Sequence, residues 1–121
     1  MAKKGDMLYA WTNDANIKEK AELGGAVTAL WKYALESKTV DAVLAVTKGV
    51  DLYDAKPVII TDPKDLAKTA GSLHCGTLLM AKLIKKYLDG AENQKIGVTV
   101  KGCDMMGMYE LAKRKQINLD N

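Results

Sequence analysis

Apolar and polar residues follow one another along this chain in blocks that predict strands and helices in turn. A short apolar run from Met7 to Trp11, bounded by polar residues on both sides, predicts a first strand. A polar stretch with charges of alternating sign follows, typical of a loop or a short exposed helix. The next block predicts a helix that packs one side on a sheet, because its apolar residues recur at helical spacing: Ala26, Val27, Leu30, Tyr33 and Ala34.

Two strands and a short helix are predicted in the middle of the chain. Ala42 to Val46 is an uninterrupted aliphatic run of strand length, typical of a central strand that is covered on both faces. Pro57 to Thr61 predicts another strand. Asp62 is a good N-cap residue and Pro63 suits the first helical position, so a short helix is expected from Pro63 to Thr69.

The last third of the chain carries the strongest helical pattern, which begins at Thr77 and places apolar residues opposite three lysines. Lys95 to Val100 predicts a further strand, and a methionine-rich helix follows it through Ala112. Gln116 to Asn121 has the pattern of the start of one more strand. The order of these elements predicts an α/β fold in which helices flank a mainly parallel sheet.

Composition narrows the class of protein. With 121 residues, 48% of them hydrophobic and 27% charged, the chain is expected to form a single folded domain that spans residues 1–121. A net charge of +3, spread along the chain, is too small to indicate nucleic-acid binding. No apolar run is long enough for a signal segment or a membrane span, and the two cysteines show no disulfide or zinc spacing, so a cytoplasmic protein without a metal site is expected.

A pair of glycines, Gly24 and Gly25, precedes the first long predicted helix. Backbone without Cβ atoms in front of a helix N-terminus, whose first N–H groups lack partners, can cradle an anion such as a phosphate. The same two glycines are also compatible with an ordinary turn that binds nothing. The full dinucleotide fingerprint is absent here.

A second candidate loop, Lys101 to Asp104, follows the last predicted strand. Ligands of open α/β sheets bind at the carboxyl ends of the strands, so this loop and the glycine pair are predicted to face one crevice. Cys103 is a candidate ligand-contacting thiol, and a small buried residue at a tight turn is the alternative. A third loop, Ala70 to Gly76, carries small and reactive side chains between two predicted helices.

Several of these stretches resemble, in the same order, the amino-terminal part of the coenzyme F420 hydrogenase/dehydrogenase beta-subunit family. The matching stretches are Gly24 to Leu30 (GGAVTAL), Val40 to Val43 (VDAV), Thr69 to Cys75 (TAGSLHC), Val98 to Asp104 (VTVKGCD) and Gln116 to Asn121. The resemblance covers nearly the whole chain and implies that it is the N-terminal part of a larger subunit.

The resemblance implies a flavin-dependent electron-transfer subunit. Members of the family bind FAD, move a hydride between FAD and coenzyme F420, and pass electrons through iron-sulfur clusters to the catalytic alpha subunit of a formate dehydrogenase or a hydrogenase. It favours formate dehydrogenase here, and it requires no catalytic acid or base. Carried over by motif, the residues expected to line the flavin pocket are Gly24, Gly25, Ala26, Val27, Thr28, Ser72, Leu73, His74, Lys101, Cys103 and Asp104.

Two departures from the family pattern bear on this expectation. Many members read Gly-Thr-Pro-Cys-Gln where this chain has Val100 to Asp104 (VKGCD). The cluster-binding cysteines of the family lie in a carboxyl-terminal half that has no counterpart here, and two cysteines cannot hold a four-cysteine cluster. The alternatives are a non-enzymatic adaptor domain that docks a redox subunit without flavin, and a nucleotide-binding regulator that uses the glycine turn alone.

Overall fold

A computed structural model of the chain describes residues 2–51, 53–73 and 78–121. Within these ranges, no helix is long and apolar enough to cross a membrane. Two short 3-10 helices, Pro63–Thr69 and Asp89–Ala91, accompany the regular elements. In chain order the regular elements are α1 (Ala15–Lys20), α2 (Ala26–Glu36), β1 (Ala42–Lys48), β2 (Ala55–Ile60), α3 (Met80–Tyr87), β3 (Ile96–Val98) and α4 (Gly102–Lys113).

The three strands form a mixed sheet in the order β2-β1-β3. β1 pairs with β2 in antiparallel register, with Val43 opposite Ile60, and with β3 in parallel register, with Val43 opposite Gly97. The predicted mainly parallel sheet is therefore wrong. The physical reason is the short connection between β1 and β2, where the N–H of Gly49 donates to the carbonyl of Asp54 (2.7 Å), because so short a link can only reverse the chain.

One face of the sheet is covered by α3 and α4. Leu44 on β1 belongs to the same buried cluster as Met80 and Ile84 of α3 and Met108 of α4. The buried side of α3 is the one that its sequence pattern predicts, but both ends of that side are open, because Leu79 and Tyr87 are each more than 60% exposed. Burial of these side chains, each contributing about 1.5–3 kcal/mol, fixes both helices against the sheet.

The opposite face is covered by α2 and by the 3-10 helix Pro63–Thr69. Leu35, Val43, Ile60 and Leu66 are buried together there, and Trp31 packs against them. The predicted apolar side of α2 is wrong in part, because Val27, Leu30 and Tyr33 are all more than half exposed. The side that packs on the sheet is instead the one that carries Trp31 and Leu35, one helical turn apart.

The predicted first strand, Met7 to Trp11, is not a strand. The segment has no regular secondary structure and pairs with neither edge of the sheet, and Met7 and Tyr9 are almost fully exposed. It is held where the N–H of Thr12 donates to the carbonyl of Gly24 (2.8 Å). A run of β-compatible residues becomes a strand only when a sheet edge lies beside it, and no edge does so here.

The predicted strand at Gln116 to Asn121 is also wrong. These residues form a bend that packs Ile117 into the core beside α3 and α4. The N–H of Asn118 donates to the carbonyl of Gly90 (2.7 Å), and the amide of Asn121 donates to the carbonyls of Ala91 (3.0 Å) and Glu92 (2.9 Å). Isolated hydrogen bonds to the turn at residues 90–92, one from a backbone N–H and two from a side-chain amide, replace the ladder of a strand.

Candidate functional site

A crevice opens at the edge of the sheet where the parallel strands β1 and β3 both end. Three adjoining cavities of about 240, 350 and 190 Å³ meet there, and all three share Val46 and Gly71 in their walls. We call these three cavities together the crevice. Ligands of α/β sheets bind at this kind of position, because loops from several elements converge around the carboxyl ends of the strands.

Three segments far apart in sequence contribute predicted site residues to the crevice. Val27 and Thr28, from the first turn of α2, line the cavity of about 350 Å³ together with Ser72. Lys101 and Asp104, from the start of α4, line the cavity of about 240 Å³. The remaining predicted residue in these walls is Leu73, which lines the cavities of about 240 and 190 Å³.

Trp31, which lines the crevice, packs against Gly97 of β3. The indole ring lies over β3 at Gly97, where an added Cβ atom would come within 2.5 Å of the ring. The indole N–H donates to the hydroxyl of Thr99 (2.8 Å), which lines two of the cavities. Because a hydroxyl both donates and accepts, Thr99 still has its own proton to donate into the crevice.

Three lysines line the crevice against two acidic residues, Glu22 and Asp104, so its charged side chains are basic by a small excess. Lys48 and Lys101 line it and form no ion pair with any carboxylate in the described ranges, so their charges are open to a ligand. Lys68 also lines it, but a hydrogen bond to Asp65 (2.6 Å) occupies its ammonium group and raises the pKa of that lysine. The carboxyl group of Asp104, in contrast to the lysines, is largely shielded from solvent, because the residue is only 7% exposed.

Gly24 and Gly25 serve the packing of the chain itself. Both have left-handed backbone, with φ of 79° and 69°. A Cβ atom on Gly24 would lie 3.0 Å from the Cβ of Trp11, and one on Gly25 would lie 2.7 Å from Ile17. These glycines and Ala26 do not line the crevice, so the close approach that they allow is to α1 and to the segment before it.

Cys103 and His74 stand apart from this arrangement. Cys103 is an exposed free thiol that lines a separate groove between α3 and α4. His74 lies outside the described residues. Over the described part of the chain, no three His, Cys, Asp or Glu side chains are grouped so that they could hold a metal ion.

The crevice also contains residues that the sequence analysis missed. Val46 and Thr99 each lie at the end of a strand, and Met80 begins α3; all three line both of the larger cavities. The rule that ligands bind at carboxyl strand ends was sufficient to find Val46 and Thr99, which directly follow the buried stretches of β1 and β3. Met80 carried no such signal, because it looks like any other core residue of a helix.

The fold and the crevice define an α/β domain with a ligand-sized, partly basic cleft at the carboxyl edge of its sheet. The sequence profile of the family described as "Coenzyme F420 hydrogenase/dehydrogenase, beta subunit N-term" matches residues 7–85. The chain belongs to this family.

Two proteins that are named as subunits of F420-dependent formate dehydrogenases are similar to this chain. The chain is 55% identical to the F420-dependent formate dehydrogenase 1 subunit beta of Methanococcus maripaludis, over 96% of this chain and 29% of that protein. It is 54% identical to the F420-dependent formate dehydrogenase subunit beta of Methanocaldococcus jannaschii, over 89% of this chain and 28% of that protein. The chain therefore spans less than a third of the length of either relative.

A solved structure has a similar fold. The match is a chain in a xenon-derivatised structure of the F420-reducing NiFe hydrogenase complex from Methanosarcina barkeri, with a TM-score of 0.66 and 26% identity. It covers 87% of this chain and 36% of that chain. The fold of this chain is therefore similar to that of part of the matched chain.

Proposed function

We propose that this chain is the FAD-binding part of an electron-transfer subunit that moves a hydride between FAD and coenzyme F420. The observation that carries the proposal is the convergence of Thr28, Ser72 and Lys101 on one crevice, in a chain more than half identical to subunits named for F420 dependence. Identity of 54–55% to formate dehydrogenase subunits, against 26% to the hydrogenase chain, favours a formate dehydrogenase complex.

The residues of the crevice fit a flavin nucleotide. Val46 and Met80 offer apolar walls to a ring system, and the cavities of about 240 and 350 Å³ lie near the size range of about 300–1,000 Å³ that small-molecule sites occupy. Bound there, FAD would supply the two-electron carrier that exchanges a hydride with F420. The protein's part is to hold the ring in place and to keep water away from it.

Polar side chains of the crevice suit the rest of such a ligand. Lys101 and Lys48 supply positive charge for a pyrophosphate, and the hydroxyls of Thr28 and Ser72 can donate to its oxygens. Asp104, as a buried carboxylate, is suited to accept a hydrogen bond from a ribose hydroxyl or a ring N–H rather than to face a phosphate. No side chain is required to transfer a proton.

The complete subunit is proposed to act with other groups. Electrons would pass through iron-sulfur clusters in the region beyond this chain to the catalytic alpha subunit of the complex. That region is also the proposed place for part of the F420 site, since the crevice described here is open to solvent on one side.

The test measures FAD binding by the purified chain through the quenching of flavin fluorescence. Lys101→Gln should weaken binding about five- to tenfold, because a charge next to a phosphate is lost. Thr28→Val should weaken it about two- to fivefold through one lost hydrogen bond. Thr39→Val and Lys38→Gln, whose residues are exposed and lie outside the crevice, serve as matched controls.

Binding that is unchanged in Lys101→Gln and Thr28→Val would contradict the placement of the ligand in this crevice. If the wild-type chain retains no FAD, and the full-length subunit reconstituted with FAD retains none either, a flavin-free adaptor is the better account. Substitution of Gly25 does not discriminate, since any side chain there would collide with Ile17 whether or not a ligand binds.

A further inference from the structure

A second groove lies between α3 and α4, on the outer surface of the helices that cover the sheet. Its volume is about 440 Å³, and it is separate in its lining from the crevice except at Asp104. The two helices approach closely at its base, where a Cβ atom added to Gly107 would lie 3.6 Å from the Cβ of Ala81. A small residue at this crossing leaves a channel along the helix pair.

The floor of this groove is apolar and open to solvent. Leu79, at the start of α3, is 63% exposed, and Leu111 of α4 is half-buried. One exposed leucine beside a half-buried one, in a groove between two helices, marks a place where another apolar surface fits.

The rim of the groove is positively charged. Lys82 and Lys85 stand one turn apart on α3, and Arg114 stands opposite them at the end of α4. None of the three forms an ion pair with a carboxylate of the described residues. The one exposed carboxylate in the lining, Glu110, accepts a hydrogen bond from Lys113 (2.7 Å), and this bond together with the weaker effect of the Arg114 charge lowers the pKa of Glu110. Lys82 and Lys85 are therefore fully open to a partner, whereas the charge of Arg114 is offset in part by Glu110.

We infer that the α3/α4 groove is a docking surface for an acidic amphipathic helix of a partner protein. An apolar ridge of that helix would lie on Leu79 and Leu111, and carboxylates on both flanks would meet Lys82 and Lys85 on one side and Arg114 on the other. α4 has 12 residues and is therefore about 18 Å long, so the groove accommodates about three turns of a partner helix. Rim charges of one sign select an acidic partner against a basic one.

The test uses the whole chain and a synthetic peptide of about 14 residues, about four helical turns, with leucines along one side and glutamates on both flanks. Binding is measured by fluorescence anisotropy of the labelled peptide at about 0.05 M and about 0.5 M salt. We expect saturable binding that weakens about tenfold or more in the charge reversals Lys82→Glu/Lys85→Glu and, separately, Arg114→Glu. Lys3→Glu/Lys4→Glu, with the same change of net charge far from the groove, should bind as the wild type does.

The binding site of the peptide is located with the exposed thiol of Cys103, which lies in the groove. In a Cys75→Ser background, the glutamate peptide should slow the alkylation of Cys103 by iodoacetamide, and a peptide with lysine in place of every glutamate should not. Circular dichroism melts confirm that the variants fold. Retention of FAD by Lys82→Glu/Lys85→Glu should be unchanged, because neither lysine lines the crevice.

Four results would overturn the inference: no binding by the wild type, equal binding of the lysine peptide, equal weakening by Lys3→Glu/Lys4→Glu, or binding that leaves Cys103 alkylation unchanged. Sedimentation equilibrium tests whether the groove is instead occupied by a second copy of the chain. If the wild type dimerises and Lys82→Glu/Lys85→Glu is monomeric, the groove is a self-association surface and the acidic-helix proposal fails.

Discussion

α2 and α3 cover opposite faces of the same sheet, and the same sequence rule predicted the buried side of α3 far better than that of α2. In α3 the apolar residues occupy one side and Lys82, Lys85 and Lys86 occupy the other, so only one side can face the core. In α2 apolar residues spread over more than half of the circumference. Periodicity alone then cannot choose the buried side, and Val27, Leu30 and Tyr33 are exposed while Leu35 is buried.

The difference shows that charged residues determine the orientation of a helix as much as apolar ones do. Burying any lysine of α3 would cost far more than exposing one leucine, which excludes every orientation but one. α2 carries only Lys32 and Glu36 as charged residues, and Lys32 remains partly exposed in an ion pair with Asp14. The orientation of α2 is set instead by packing on the sheet, because Gly97 has no side chain and the ring of Trp31 occupies the space above it.

The largest expected effect is a difference in stability between substitutions on the buried side and on the exposed side of α2. Leu35→Ala should lower the free energy of unfolding by about 2–5 kcal/mol, because it leaves a cavity in the core beneath the sheet. Leu30→Ala, the matched change on the exposed side, should cost less than about 0.5 kcal/mol. Urea unfolding followed by circular dichroism measures both. Equal losses would mean that α2 packs on the side that its periodicity predicts.

The next effect concerns the contact that orients α2. Gly97→Ala should destabilise the chain by about 1–3 kcal/mol, because the new methyl group would displace the ring of Trp31 from β3. Gly102→Ala is the control, since an added Cβ atom there has no neighbour within 4 Å. Thermal melts give the stability, and the tryptophan emission spectrum reports the displaced ring. A neutral Gly97→Ala would remove our explanation for the orientation of α2.

A smaller effect of opposite sign is expected at the α3/α4 crossing. Gly107→Ala should stabilise the chain by about 0.5–1 kcal/mol, because alanine favours the helix and its Cβ atom would meet Ala81 at an ordinary contact distance of 3.6 Å. The melting temperature should therefore rise. A fall would indicate that α3 and α4 must approach more closely than this distance allows.

The smallest expected effect is the pH dependence of the ion pair between Asp14, the N-cap of α1, and Lys32 of α2. The hydrogen bond from Lys32, with a further one from the backbone N–H of Ile17, holds the pKa of Asp14 below its ordinary value of 3.8. The same pairing raises the pKa of Lys32 above 10.5. A carboxyl group with a lowered pKa in the folded state adds stability above its ordinary pKa and loses that stability as the pH falls through its folded value.

We therefore expect the contribution of this pair to be constant across neutral pH and to fall away below about pH 4, where Asp14 takes up a proton. Urea midpoints at pH 7 and pH 3 should differ less in Asp14→Asn than in the wild type. Asp6→Asn, at an exposed residue that forms no ion pair with the lysines and arginine of the described residues, is the control. The prediction fails if Asp14→Asn and the wild type lose equal stability between these two pH values.

For the site, the sequence identified the segments better than the side chains. Thr28, Ser72, Lys101 and Asp104 do converge on one crevice, although whether FAD binds there stays a prediction. The roles of the glycine pair before α2 could not be read from the chain, because a left-handed turn looks the same whether it approaches a ligand or, as here, the chain's own α1. Cys103 faces another groove because neighbouring residues of a helix point in different directions.

Three elements could be predicted from residues close together in the chain: the central strand, the short helix with its Asp62 cap and Pro63, and α3 with its lysine side. Contacts between distant segments set the direction of β2, the loss of the predicted terminal strands and the buried side of α2. The physical reason is that each of these depends on what lies opposite a segment, a sheet edge, a short turn or a vacant space over Gly97. No local pattern encodes such a partner, whereas a cap, a lysine stripe or an aliphatic run carries its preference within a few residues.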